Sequence, residues 1–99
     1  MKFMATWSVD QHNWLPILKK WSSMTPAERA DGGAGVTIVG RWHDMAARTG
    51  VAILEATDAA TLHAYINQWN PFMDLDVTPV LDDEESAKVA ASVVAAHDG

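Results

Sequence analysis

Two helical apolar stripes alternate with four short extended segments, and that order leaves few folds open. Leu62, Tyr65, Ile66 and Trp69 recur at i, i+3, i+4 and i+7, the spacing that lines up one helix face. Asp58 stands where an N-cap belongs, and Asn70-Pro71 stops the helix. Trp14, Leu18 and Trp21, flanked by Leu15 and Ile17, form a second stripe that runs to about Ser23. Pro16 suits only a first helical turn, so of the two candidate caps, Asp10 and Asn13, the sequence favours Asn13. Thr25-Pro26-Ala27-Glu28 is a capping box with Pro at the first helical position. It opens a short helical turn that ends at Gly32-Gly33, within a loop from Asp31 to Gly35.

Lys2 to Val9 alternates as a strand, with Phe3, Ala5, Trp7 and Val9 on one face and Met4, Thr6 and Ser8 on the other. Val36 to His43 and Gly50 to Ala56 read as a hairpin closed by residues 44–49. Phe72 to Leu81 is a fourth strand, and Pro79 within it places it at a sheet edge, because proline cannot donate to a ladder. Asp82 or Asp83 then caps a last helix, with Glu84 and Glu85 in the turn where the dipole favours acids. Ala87, Val89, Ala90, Val93 and Val94 form its apolar face.

The order β-α-β-β-α-β followed by a helix predicts an α+β fold of the ferredoxin-like type. Its four-stranded antiparallel sheet carries both main helices on one face, with the first and third strands central and the second and fourth at the edges. Ninety-nine residues suffice for a single domain, residues 1–99.

Composition removes several function classes. Without cysteine there is no disulfide, thiol chemistry or thiolate metal site. No apolar run approaches the length of a membrane span, and the N-terminus lacks a signal-peptide stretch, so a cytoplasmic protein is expected. Residues 1–73 balance six Lys and Arg against six Asp and Glu, while residues 74–99 set seven acids against Lys88 alone. The net charge of −6 therefore sits in the last quarter, which argues against nucleic acid as a partner. Gly32, Gly33 and Gly35 precede a strand, so the dinucleotide fingerprint fails. None of Ser8, Ser22, Ser23, Ser86 and Ser92 lies in a nucleophile elbow.

The sheet face turned away from the helices carries Met4, Val39, Ile53 and Val80, too apolar to stay wet. A face-to-face homodimer forming a dimeric α/β barrel would cover it; the alternative is that the last helix folds back over it within one chain. In the expected register Phe3, Ala5, Trp7, Ile38, Trp42, Leu54 and Val77 pack under the helices. Thr6, Arg41, His43, Glu55, Asp76 and Thr78 then face the open side. A slip of one residue would reverse these sets.

Glu55 interrupts the apolar run Val-Ala-Ile-Leu in a central strand, so it needs a partner or a raised pKa. Arg41, on the neighbouring strand, is the expected cross-strand partner. The pair either fixes register or supplies a general base and ligand anchor. His43 titrates near neutrality and is either a second acid–base group or a surface histidine at the start of a loop. Glu55 and His43 are thus the catalytic candidates, and Arg41, Trp42, Thr6, Thr78, Tyr65 and Trp69 the ligand-binding ones. Core packing explains most of the five Trp equally well. One strand-end histidine with scattered acids predicts no metal site.

The opening Met-Lys-Phe-Met, the segment Gly40-Arg41-Trp42-His43-Asp44, the joint Glu55-Ala56-x-Asp58 and the run Val77-Thr78-Pro79-Val80-Leu81-Asp82-Asp83-Glu84 resemble a family of small uncharacterised bacterial proteins, a domain-of-unknown-function family. The resemblance spans nearly the whole chain. It implies a dimeric α+β barrel of ferredoxin-like halves and carries no catalytic residue with it. The wider barrel group includes cofactor-free monooxygenases, haem-degrading enzymes and small stress proteins. Its haem degraders use a first-strand Asn, a Trp on the second helix and a later His ligand. Trp69 matches the Trp, but Thr6 stands on the first strand and no His lies between Trp69 and His97. That departs from the haem pattern, and no cofactor is expected.

The function these observations favour is small-ligand binding, with cofactor-independent chemistry on a small, partly aromatic or carbonyl compound as its enzymatic form. Glu55 or His43 would take a proton while Arg41 or Trp42 holds developing charge. The competing expectation is a non-enzymatic structural or protein-interaction module that uses the acidic last helix or a sheet edge.

Overall fold

A computed structural model describes residues 1–98. The elements are β1 (Lys2–Ser8), α1 (Gln11–Ser23), α2 (Pro26–Ala30), β2 (Val36–Asp44), β3 (Thr49–Ala56), α3 (Ala59–Trp69), β4 (Asp74–Val80) and α4 (Asp83–Asp98). The protein is α+β, with one open sheet ordered β2-β3-β1-β4. Every neighbouring pair is antiparallel. The first and third strands are central, and Pro79 lies in the edge strand β4, where a missing donor costs least.

The caps explain where most helices start. Asp58 accepts from the Thr61 amide at 2.8 Å and opens α3. Thr25 and Glu28 form the expected reciprocal capping box at α2. A second such box, Asp82 with Glu85, opens α4: the Glu85 amide donates to Asp82 at 2.8 Å and the Asp82 amide donates to Glu85 at 3.2 Å. These exchanges satisfy amides that a helix N-terminus otherwise leaves orphaned. Helix α1 departs from expectation. It begins at Gln11 after Asp10, so Pro16 lies inside it. Proline removes one i→i−4 bond there, and the helix continues through it, with Trp14 before it and Ile17, Leu18 and Trp21 after it facing the cavity.

The core lies on one side of the sheet. Phe3, Ala5, Ala52, Leu54 and Ala56 from the strands meet Leu62, Tyr65 and Ile66 from α3. Helix α1 adds no residue to this cluster, and Ile17 is its one buried side chain.

Strand β2 corrects the expected register. Its pairing with β3 shifts between Ile38 and Gly40, a β-bulge. Before the bulge Ile38 opposes core Leu54; after it Arg41 opposes buried Ala52, and His43 opposes Gly50. One extra residue on one strand reverses the side-chain alternation beyond it. Arg41 and His43 therefore face the helices, and Trp42 turns to the open side, 61% exposed. The expectation was the reverse for all three. Thr6, Glu55, Asp76 and Thr78 lie on the open side, as their strands predict.

Helix α4 does not fold back over the sheet. None of its side chains is buried, and Val89, Val93 and Val94 are 52–57% exposed. The Cα radius of gyration is 16.6 Å, against about 13 Å for a compact chain of this length. The longest dimension is 57 Å. Lys2 fixes the root of α4, reaching Glu55 at 2.9 Å and Asp82 at 3.4 Å.

Candidate functional site

Because α1 stays out of the core cluster, a cavity of about 80 Å³ opens between it, α3 and the sheet. That is several times the room one water needs, in an interior where close packing is the rule. Trp7, Ala52 and Leu54 form the floor; Trp14, Ile17, Leu18 and Trp21 of α1 form one wall; Tyr65, Ile66 and Trp69 of α3 form the other. Met45 and Met73, from the loops before β3 and β4, complete the lining. Two flexible thioethers among rigid rings make an adaptable apolar boundary.

The floor is shaped by a missing side chain. Gly50 pairs with Trp7 across the sheet, and the six-membered ring of Trp7 occupies the space a Cβ on Gly50 would take. The indole lies against bare backbone. His43 meets its edge at a centroid distance of 5.6 Å and Trp21 at 5.2 Å. Trp21 in turn meets Trp69 edge-on at 6.1 Å. The aromatic residues thus form a connected wall, in tilted and edge-on contacts that add to their burial.

Arg41 is the one cation lining this cavity among the described residues. Its guanidinium lies 4.8 Å from the Trp21 ring centroid, donates to the Arg29 carbonyl at 3.0 Å and donates to the Tyr65 hydroxyl at 3.0 Å. The ion pairs found among the described residues are Lys2–Glu55 and Lys2–Asp82; no carboxylate reaches Arg41. The expected Arg41–Glu55 pair therefore does not form. The register sets Thr37, not Arg41, opposite Glu55, the bulge puts Arg41 and Glu55 on opposite faces of the sheet, and Lys2, beside Glu55 on the open face, takes that carboxylate instead.

His43 stays partly open to solvent, and partial desolvation against Trp7 and Trp21, followed by the positive charge of Arg41, holds it below the ordinary histidine pKa. It is neutral at physiological pH and can accept a proton. No hydrogen bond engages it among the described residues.

The sheet divides the candidate residues in two. Arg41, His43, Tyr65 and Trp69 share the cavity. Glu55, Thr6, Thr78 and Trp42 lie behind it on the open face, so Glu55 cannot assist His43. Among the described residues no three or more His, Asp or Glu converge as a metal cluster. Trp7, Trp14 and Trp21, which core packing would also explain from sequence, line the cavity instead, Trp7 in its floor and the other two in its wall. The visible signal was the Trp14–Leu18–Trp21 stripe facing a second stripe that ends in Trp69. Met45 and Met73 gave no signal in the sequence.

A second, polar pocket of about 250 Å³ adjoins the first across Trp21, Tyr65 and Trp69, with Lys20, Glu28, Arg29, Asp31 and Gln68 around it. Arg29 is committed there, donating to the Met24 carbonyl at 2.7 Å near the α1 C-terminus, where a cation is favourable.

Fold and site define a small α+β protein with an open antiparallel sheet and an aromatic cavity under its helices. The chain belongs to the family described as Domain of unknown function (DUF3303), which matches residues 1–94. No curated protein matches the chain.

Proposed function

We propose that the protein binds a small, partly aromatic molecule in the cavity between its sheet and helices α1 and α3. The observation that carries this reading is a tryptophan-lined space holding one unpaired guanidinium and one neutral imidazole. A side chain placed only for packing would not leave such groups facing a void. If the ligand is transformed, His43 takes the proton and Arg41 holds the developing negative charge; Glu55 has no part in it. The test is titration with one- and two-ring aromatic compounds, followed by nuclear magnetic resonance of the indole N–H groups. Ligand-induced shifts of the Trp7, Trp21 and Trp69 signals support the reading. Shifts confined to exposed Trp42 would refute it.

The ferredoxin-like topology and a homodimer belong to the same proposal. The open sheet face presents Met4, Val51 and Ile53 half-exposed, with Val39 57% and Trp42 61% exposed beside them. The valines of α4 are also without cover. Two apolar surfaces that do not meet within one chain can meet between two copies through a self-complementary interface. A face of four strands, roughly 20 by 20 Å at ordinary strand spacing, together with a 16-residue helix, approaches the ~800 Å² per partner of a stable interface. Light scattering should give twice the 10.8 kDa chain mass, and Ile53→Glu should reduce it to one. A monomeric wild type at micromolar concentration would sink the dimer and leave the cavity reading untouched.

A further inference from the structure

We infer that the ligand is a monoanion, a flat aromatic body bearing one carboxylate, and that Arg41 is the residue that selects it. The inference deepens the cavity reading above and rests on it.

Three observations converge. First, Arg41 is half-buried with a cavity in front of it and no ion-pair partner among the described residues. A desolvated charge without a counterion is costly, and proteins keep one where a partner arrives from outside. Second, Arg41 is held rather than loose. The Arg29 carbonyl and the Tyr65 hydroxyl each accept one N–H, and the Trp21 face lies 4.8 Å from the guanidinium carbon. These contacts fix the plane of the fork and leave its remaining N–H groups without an acceptor among the described residues. A planar, oriented fork matches a carboxylate in two-point geometry. Third, the remaining titratable groups of the cavity add no positive charge. The lining holds only His43 and Tyr65 besides Arg41, and His43 is neutral because burial and Arg41 itself disfavour its protonation. One positive charge calls for one negative charge; a dianion such as a phosphate monoester would remain half uncompensated.

The nearby acids do not compete. Glu28 is engaged by the Thr25 amide at 2.9 Å and Asp31 by the Gly33 amide at 2.8 Å. Both belong to the outer pocket, beyond the wall of Trp21, Tyr65 and Trp69. That wall also sets the chemistry of the body: its aromatic faces and edges favour stacked or edge-on contact with another flat ring.

The test uses matched probes on the intact chain by isothermal titration: benzoate against benzamide, and indole-3-acetate against indole-3-acetamide. Each pair keeps the aromatic body and exchanges the charge for a neutral amide. The acid should bind about ten- to hundredfold tighter than its amide, the range of a charge-assisted hydrogen bond. Arg41→Gln should remove that preference and leave amide binding within about threefold, while Arg41→Lys, which keeps the charge but loses the fork, should restore only part of it. Equal binding of acid and amide to the wild type would overturn the inference and leave an aromatic-binding cavity standing. Preference retained in Arg41→Gln would overturn the role of Arg41. Binding of neither member of either pair would overturn both the inference and the cavity reading. The wild-type comparison needs no variant, so it stands even if Arg41→Gln fails to fold.

Discussion

Replacing Gly50 with alanine tests whether the cavity floor is built as described. Gly50 sits in β3 between Trp7 on β1 and His43 on β2. An added Cβ would overlap the Trp7 ring: Cη2 lies 2.7 Å away, and two other ring atoms lie closer. Carbon atoms rest at about 3.5–4.0 Å, so the indole must lift by about 1 Å or more. It would lift into the cavity and against His43, whose ring centroid is 5.6 Å off. Overpacking of this kind costs about 1–3 kcal/mol. For a domain of this size each kcal/mol lowers the melting temperature by about 4–8 °C. The assay is thermal unfolding by circular dichroism, with the His43 imidazole titrated by nuclear magnetic resonance in the same samples. Gly50→Ala should melt at least about 4 °C lower, and the His43 titration should move as its packing against Trp7 changes. Gly40→Ala is the internal comparison. The ring of Trp42 covers Gly40 with Cζ3 at 2.9 Å, but Trp42 is 61% exposed and can swing away in an isolated chain. Unchanged melting and unchanged His43 titration in Gly50→Ala would refute the placement of Trp7 as the cavity floor.

Leu62 is fully buried beneath the sheet, so Leu62→Ala should cost about 2–5 kcal/mol by chemical denaturation. Tyr65→Phe removes the acceptor of one Arg41 N–H and should cost about 1 kcal/mol by the same measurement. It should also loosen Arg41 and weaken the acid–amide discrimination. For His43 the folded pKa lies below the ordinary value of 6.5, so the unfolded chain takes up its proton first as pH falls. The contribution is full above pH 6.5 and is lost as pH drops towards the folded value. Denaturation at about pH 7.5 and about pH 5.5 should show lower stability in acid, and His43→Gln should flatten that difference.

The parts of the fold legible in the sequence were those whose signal is local. The α3 stripe, the Asp58 cap, the Thr25 box and the edge position of Pro79 each follow from residues within a few positions of one another. Two features were not local. The start of α1 depends on whether the helix continues through the bond Pro16 removes, and the i, i+4, i+7 stripe alone does not weigh that. The alternative for α4, folding back over its own sheet, turned on how far a 16-residue helix anchored through Lys2 projects, and no local pattern encodes that direction.

The candidate site was half legible for a more specific reason. Strict alternation along β2 puts Arg41 and His43 with Val39 on the open face, the face that carries Glu55. The bulge at Val39 breaks the alternation once, and every residue after it changes side. Gly40 was the available hint, since glycine within a strand often marks a bulge or a close approach; here it marks both, because the Trp42 ring lies on it. The consequence reaches past register. Without the extra residue, Trp42 would turn to the helix side, and Arg41 would turn to the open face opposite Val51, away from the cavity and still four residues along β3 from Glu55, which pairs with Thr37. With it, the large ring goes to the face left free for a partner. The guanidinium goes under the helices, where the groups that reach it, the Tyr65 hydroxyl and a carbonyl, carry no charge. One inserted residue thus decides whether this cation lies on the open face or inside the cavity, where it needs a ligand.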